Sequence, residues 1–106
     1  MRVLAITVLA GLLASATGEG AAARKPVAVA IEGMKFSPAD VVVKPGDSIV
    51  WTNKDIVAHT VTAKAGAFDS KVIPPGGTFR FVAKKKGDFV YVCSLHQPMT
   101  GDVKVR

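Results

Sequence analysis

Val41-Val42-Val43-Lys44-Pro45-Gly46-Asp47-Ser48-Ile49-Val50-Trp51-Thr52-Asn53 reads as a strand, a turn and a second strand. Both flanking runs are rich in β-branched residues, which fit a pleated, half-buried surface. Between them proline presets its backbone angle and glycine enters conformations closed to other residues, so the chain bends there. Residues two apart share a face of a strand, so Ile49 and Trp51 point together toward a core. The same pattern continues on both sides. Val27–Glu32 lies before this stretch, and His59–Ala63, Thr78–Ala83, Asp88–Cys93 and Asp102–Val105 lie after it, with Pro74-Pro75-Gly76-Gly77 and Lys86-Gly87-Asp88 as further turns. Phe79 and Phe81 are in phase, as are Phe89, Tyr91 and Cys93, and His59 is in phase with Val61 and Ala63. No stretch beyond the amino-terminal segment sustains a helical period. Short strands at this spacing predict an all-β chain, an antiparallel β-sandwich or small barrel.

The chain has 106 residues, 14 basic and 8 acidic side chains, a formal net charge of +6 and one cysteine. That length holds one small domain and excludes a multidomain enzyme. One cysteine excludes an internal disulfide framework, a zinc ribbon, an iron–sulfur cluster and a dinuclear copper centre built on two thiolates. The amino terminus reads as a secretory signal peptide: Arg2 supplies the charge, Val3–Ala14 the apolar run and Ala21-Ala22-Ala23 a small-residue cleavage site. The expectation is that residues 1–23 are removed and that 24–106 form one domain. Its net charge stays +6, because Arg2 and Glu19 leave together. The apolar run is too short for a membrane span, so none remains after cleavage. So small a domain buries a modest fraction of its surface, and without a disulfide a bound metal is the natural further support.

The chemistry is concentrated in Cys93-Ser94-Leu95-His96-Gln97-Pro98-Met99, where a thiol, an imidazole and a thioether follow one another at three-residue steps in a loop that starts where a strand stops. His59 supplies a second imidazole from another strand. Singly, each residue is ordinary: a buried cysteine behaves as a small hydrophobe and a methionine fills gaps. Together they are the chain's only cysteine, its only two histidines and one of its three methionines. Two imidazoles and a thiolate surround a copper ion in a plane, with Met99 as a long, weak axial ligand, the arrangement of blue-copper electron-transfer sites.

The chain resembles the cupredoxins, the small type 1 blue copper proteins, over nearly the whole predicted domain. The resemblance is carried by Met34-Lys35-Phe36-Ser37-Pro38, by Val41–Asn53, by Ala58-His59-Thr60-Val61 and by Gly87–Cys93 with the loop that follows. The short Cys-x-x-His-x-x-Met spacing is similar to that of amicyanin-type loops. What the resemblance implies is a Greek-key antiparallel sandwich holding one copper ion, with His59, Cys93 and His96 as equatorial ligands and Met99 as the axial one. Two positions depart from the amicyanin pattern: Leu95 stands where proline is common, and Thr60 where many relatives have asparagine. Leu95 restores an N–H that proline lacks and offers the sulfur a second donor.

The implied function is one-electron transfer between Cu(I) and Cu(II) in an exported protein of the bacterial periplasm. The chain is expected to be a monomer and not an enzyme, since four protein ligands leave no open equatorial position for a substrate. On the resemblance, the His96 ring edge reaches the surface among Leu95, Gln97 and Pro98, and that patch docks redox partner proteins of cytochrome or dehydrogenase type. Scattered lysines, Lys84-Lys85-Lys86 among them, would steer a partner with an acidic docking surface. Nucleic acid is excluded as a partner, because the basic residues are not interleaved with stacking aromatics.

Overall fold

The computed structural model describes residues 24–106; the predicted signal segment lies outside the described residues, and of Gln97 the backbone alone is described. Eight strands follow in order: β1 (Val27–Ile31), β2 (Phe36–Ser37), β3 (Asp40–Val43), β4 (Ser48–Asn53), β5 (Thr62–Ala63), β6 (Thr78–Val82), β7 (Gly87–Cys93) and β8 (His96–Val105). They make two four-stranded sheets, ordered β2-β1-β4-β6 and β3-β8-β7-β5, that face each other as a sandwich. No helix among the described residues is long and apolar enough to cross a membrane.

The all-β sandwich agrees with the sequence reading, but its sheets are mixed rather than wholly antiparallel. β1 runs parallel to β4, and β3 runs parallel to β8. Alternation fixes which face of a strand is buried and carries no information about direction, so this difference was invisible in the sequence. Parallel neighbours need a connection that returns to the starting end of the sheet. The segment containing β2 and β3 provides it for β1 and β4. β2 itself escaped the reading, since two residues are too few to show a period. The expected strand His59–Ala63 shortens to β5, and His59 instead makes one bridge with Ile73, exchanging backbone hydrogen bonds of 3.2 and 2.8 Å.

Ile49, Trp51, Val61, Tyr91 and Val103 are fully buried, so the faces identified by alternation do form the core. Each buried aliphatic side chain of this kind contributes about 1.5–3 kcal/mol. Tyr91 meets Trp51 edge-on at 5.4 Å and Phe36 at 4.7 Å. Gly101 lies opposite Tyr91 in the β7–β8 ladder, and a Cβ at that position would collide with the Tyr91 ring. Phe79, Phe81 and Phe89 are only partly buried against this core. For the phenylalanines of β6 the cause is its place at the edge of a sheet, where among the described residues no further strand pairs with it.

Candidate metal centre

The two sheets deliver the sulfur and nitrogen donors to one end of the sandwich. β7 ends at Cys93, Ser94 and Leu95 make a tight turn, and His96 opens β8 directly across from Cys93. The stretch expected to be a loop is therefore a hairpin with an irregular ladder. Cys93 pairs with His96 and Val92 with Thr100, so residues 97–99 bulge out between the two pairs. A bulge is where proline is tolerated, since Pro98 has no N–H to give to a ladder. It also turns Met99 inward, leaving it 4% exposed.

His59 comes from the segment between β4 and β5, which a set of side-chain hydrogen bonds shapes. Buried Asn53 closes β4: its Nδ2 donates to the Val57 and Ile73 carbonyls, both at 2.9 Å, and its Oδ1 accepts the Asp55 N–H at 3.0 Å. Asp55 is thereby aimed at His59. Its carboxylate accepts from His59 Nε2 at 2.8 Å and from the Gly33 and Met34 N–H groups at 2.7 and 3.1 Å. The Met34 and Gly33 N–H groups, with His59, hold its carboxyl below the ordinary carboxylate range. Because an ionised carboxylate only accepts, Nε2 carries the ring proton and Nδ1 keeps its lone pair.

That lone pair faces the thiol. Cys93 Sγ lies 3.7 Å from His59 Nδ1 and 3.6 Å from His96 Nδ1, and the donor atoms of the three residues all lie within 4.8 Å of one another. Two donors that each sit roughly 2.0–2.3 Å from a shared ion stand about 3.7 Å apart at the angles of a trigonal or tetrahedral site. The two sulfur–nitrogen spacings therefore fit one metal ion between them. His59 and Cys93 are fully buried, whereas His96 is half-buried.

Thr60 ties this corner together. Its N–H donates to Cys93 Sγ at 3.3 Å, and its Oγ1 accepts the Ser94 N–H at 2.8 Å while touching the hydroxyls of Thr62 and Ser94 at 2.9 and 3.0 Å. Threonine at this position therefore still links the two ligand-bearing segments. The second donor expected from Leu95 is not formed: among the described residues, Thr60 supplies the hydrogen bond to the sulfur. Asn53 and Asp55 were missed by the sequence reading. The one available signal was a carboxylate four residues before a histidine in a short polar segment.

The model of the cupredoxin-like domain family matches residues 3–105. The chain belongs to that family. This cupredoxin is 30% identical over 84 residues to amicyanin from Paracoccus versutus, an alignment covering 74% of this chain and 64% of that relative. It is 33% identical over 84 residues to a chloroplastic plastocyanin of Tetradesmus obliquus, covering 67% and 58% respectively. The chain thus spans under two thirds of the length of these two relatives. Among solved structures, amicyanin from Paracoccus versutus superposes with a TM-score of 0.70 at 27% identity, covering 81% of this chain and 88% of that one. A copper-containing nitrite reductase from Thermus scotoductus reaches 0.73 at 24% identity, but only 22% of its chain is covered, and that likeness is one of fold.

Proposed function

We propose that this cupredoxin is an exported one-electron carrier whose copper is held by His59, Cys93 and His96 with Met99 as a weak fourth ligand. The observation that carries the reading is the one buried thiol flanked at 3.6 and 3.7 Å by two imidazole Nδ1 atoms. When bound, copper supplies the one-electron couple between Cu(I) and Cu(II). The chain's own residues make that couple fast and specific. Asp55 fixes the His59 ring and its tautomer, so that ligand need not reorient when the charge of the site changes. The Thr60 N–H points at the sulfur and stabilises negative charge on it. Burial of Cys93, His59 and Met99 keeps water away from the donors.

His96 is the most accessible of these donors and marks where electrons enter and leave. The adjoining elements expose Leu95 at 52%, Met34 at 43%, Val57 at 42% and Ile56 at 93%, an apolar collection suited to brief docking of a redox partner. The net charge of +6 favours a partner of cytochrome or dehydrogenase type with an acidic surface. The chain acts as a monomer in the bacterial periplasm after loss of residues 1–23. It is a carrier and not an enzyme: a set of four protein donors leaves no equatorial position for substrate.

The test is the visible spectrum of the 24–106 protein after addition of Cu(II). The expected result is an intense band toward the red from thiolate-to-copper charge transfer, lost in Cys93→Ser and retained in Met99→Leu with a shifted potential. A colourless complex would overturn the carrier reading. Electron-transfer rates that ignore ionic strength would remove the acidic partner.

A further inference from the structure

The opposite end of the sandwich contains a groove of about 420 Å³ lined by Ala65, Gly66, Ala67, Phe81, Val82, Lys84, Lys85 and Phe89. It opens where β5 and β6, edge strands of different sheets, fail to cover each other. The ladders place it far from the donors: Val82 pairs with Ser48 at the start of β4, and Phe89 lies four residues before Cys93 on β7. At about 3.3 Å per residue that separation along the strand is roughly 13 Å.

Two features of the groove point to a ligand. Its floor is aromatic, since Phe81 and Phe89 are partly buried against the core and leave the rest of their surface facing the opening. Its rim is cationic and uncompensated. Among the described residues Lys84 and Lys85 form no ion pair, and neighbouring carboxylates are engaged elsewhere: Asp47 with Arg24, Asp88 with Arg106 and Asp69 with Lys71. No carboxylate lines the groove.

We propose that this groove binds a small amphipathic organic anion, an aryl or medium-chain alkyl carboxylate, with its apolar body on Phe81 and Phe89 and its charge between Lys84 and Lys85. The volume falls in the range of small-molecule sites, about 300–1,000 Å³. A protein surface would need about 800 Å² of matching area per partner, more than a groove lined by eight residues offers. The alternation of β6 produces the arrangement. Phe81 lines the groove, Ala83 two residues on is buried, and Lys84 and Lys85 follow at the rim.

The proposal is tested by recording amide NMR spectra of the reduced, copper-loaded protein during titration with 2-naphthoate and, in parallel, with the uncharged 2-naphthylmethanol. The expected result is saturable shifts confined to Ala65–Ala67, Phe81–Lys85 and Phe89, with binding at least tenfold weaker for the neutral compound. The double substitution Lys84→Gln, Lys85→Gln should weaken naphthoate at least tenfold while leaving the melting temperature and visible band unchanged. Ala67→Trp, which fills the groove and keeps both lysines in the chain, should abolish the shifts. Equal binding of the two compounds, shifts centred on Met34 and Leu95, or an equal response to acetate would each overturn the proposal. Groove shifts that appear with protein concentration alone would instead assign the surface to a second copy of the chain.

Discussion

The two ends of the sandwich are built from the same strands and finished differently. At the donor end Asn53, Asp55 and Thr60 tie their own segment to three others through side-chain hydrogen bonds. At the far end, the turn containing Gly66 is held by backbone bonds, such as Gly66 N–H to the Ala63 carbonyl at 3.0 Å, and the lysines that follow β6 stand in solvent. On the proposed function, rigidity is placed where donor atoms must keep one geometry in two charge states. Openness is left where nothing demands it, and the least protected parts of a fold are the natural places for binding surfaces.

The strongest perturbation strikes the core that both ends share. Gly101→Val should destabilise the protein by about 3 kcal/mol or more, because the new side chain meets a ring already closed in by Trp51 and Phe36. The urea midpoint measures it, and an unchanged midpoint would mean that the Tyr91 ring has another resting place. Asn53→Ala should cost about 1–3 kcal/mol by removing the side-chain donor to the Val57 carbonyl and leaving the Ile73 carbonyl with the His59 N–H alone. If the donor end is the rigid one, amide exchange should quicken in residues 54–59 and stay the same around Gly66.

Asp55→Ala leaves every donor atom in place and frees the His59 ring to turn. Copper affinity should fall about 10–100-fold, read by competition with a chelator of known strength. Alkaline pH probes the centre of the molecule. Burial pushes the Tyr91 phenol up from 10.0 to about 12. Between these values the unfolded chain has released a proton that the folded chain keeps, so stability falls as pH rises through that window, by on the order of 2 kcal/mol. Tyr91→Phe should flatten this part of the pH profile relative to the parent, since other groups titrate equally in both. The smallest effect belongs to the far end, where Lys84→Gln should move stability by no more than about 0.5 kcal/mol. A larger loss would show that this end is held by charge contacts as the other is held by hydrogen bonds.

The same contrast explains what the sequence disclosed. Alternation exposed Ile49, Trp51, Tyr91 and Cys93 as inward-facing, because burial repeats every second residue. The candidate donor set stood out in the sequence because cysteine and histidine are scarce here and a thioether follows at a fixed step. The supports were not legible. Asp55 reaches Gly33 and Met34 across the connection between β1 and β2, and Thr60 reaches Ser94 across two strands, so neither bond leaves a local pattern. Strand direction left none either, and the ligand loop became a bulged hairpin because the register of Cys93 opposite His96 depends on both strands together.

β8 makes one pairing with its sequence neighbour β7 and one with the distant β3. It carries His96 and Met99, it is the last strand of the chain, and it docks beside β3 from the first half. Such distant pairings close late, because the entropy of closing a long loop must be met before the contact repays it. During synthesis there is therefore an interval in which Cys93 exists without the strand that will cover it. How long the thiol is exposed to oxidants is a question of how fast β8 docks, and a slow-docking variant should lose thiol titre during refolding in air even when its final stability is normal.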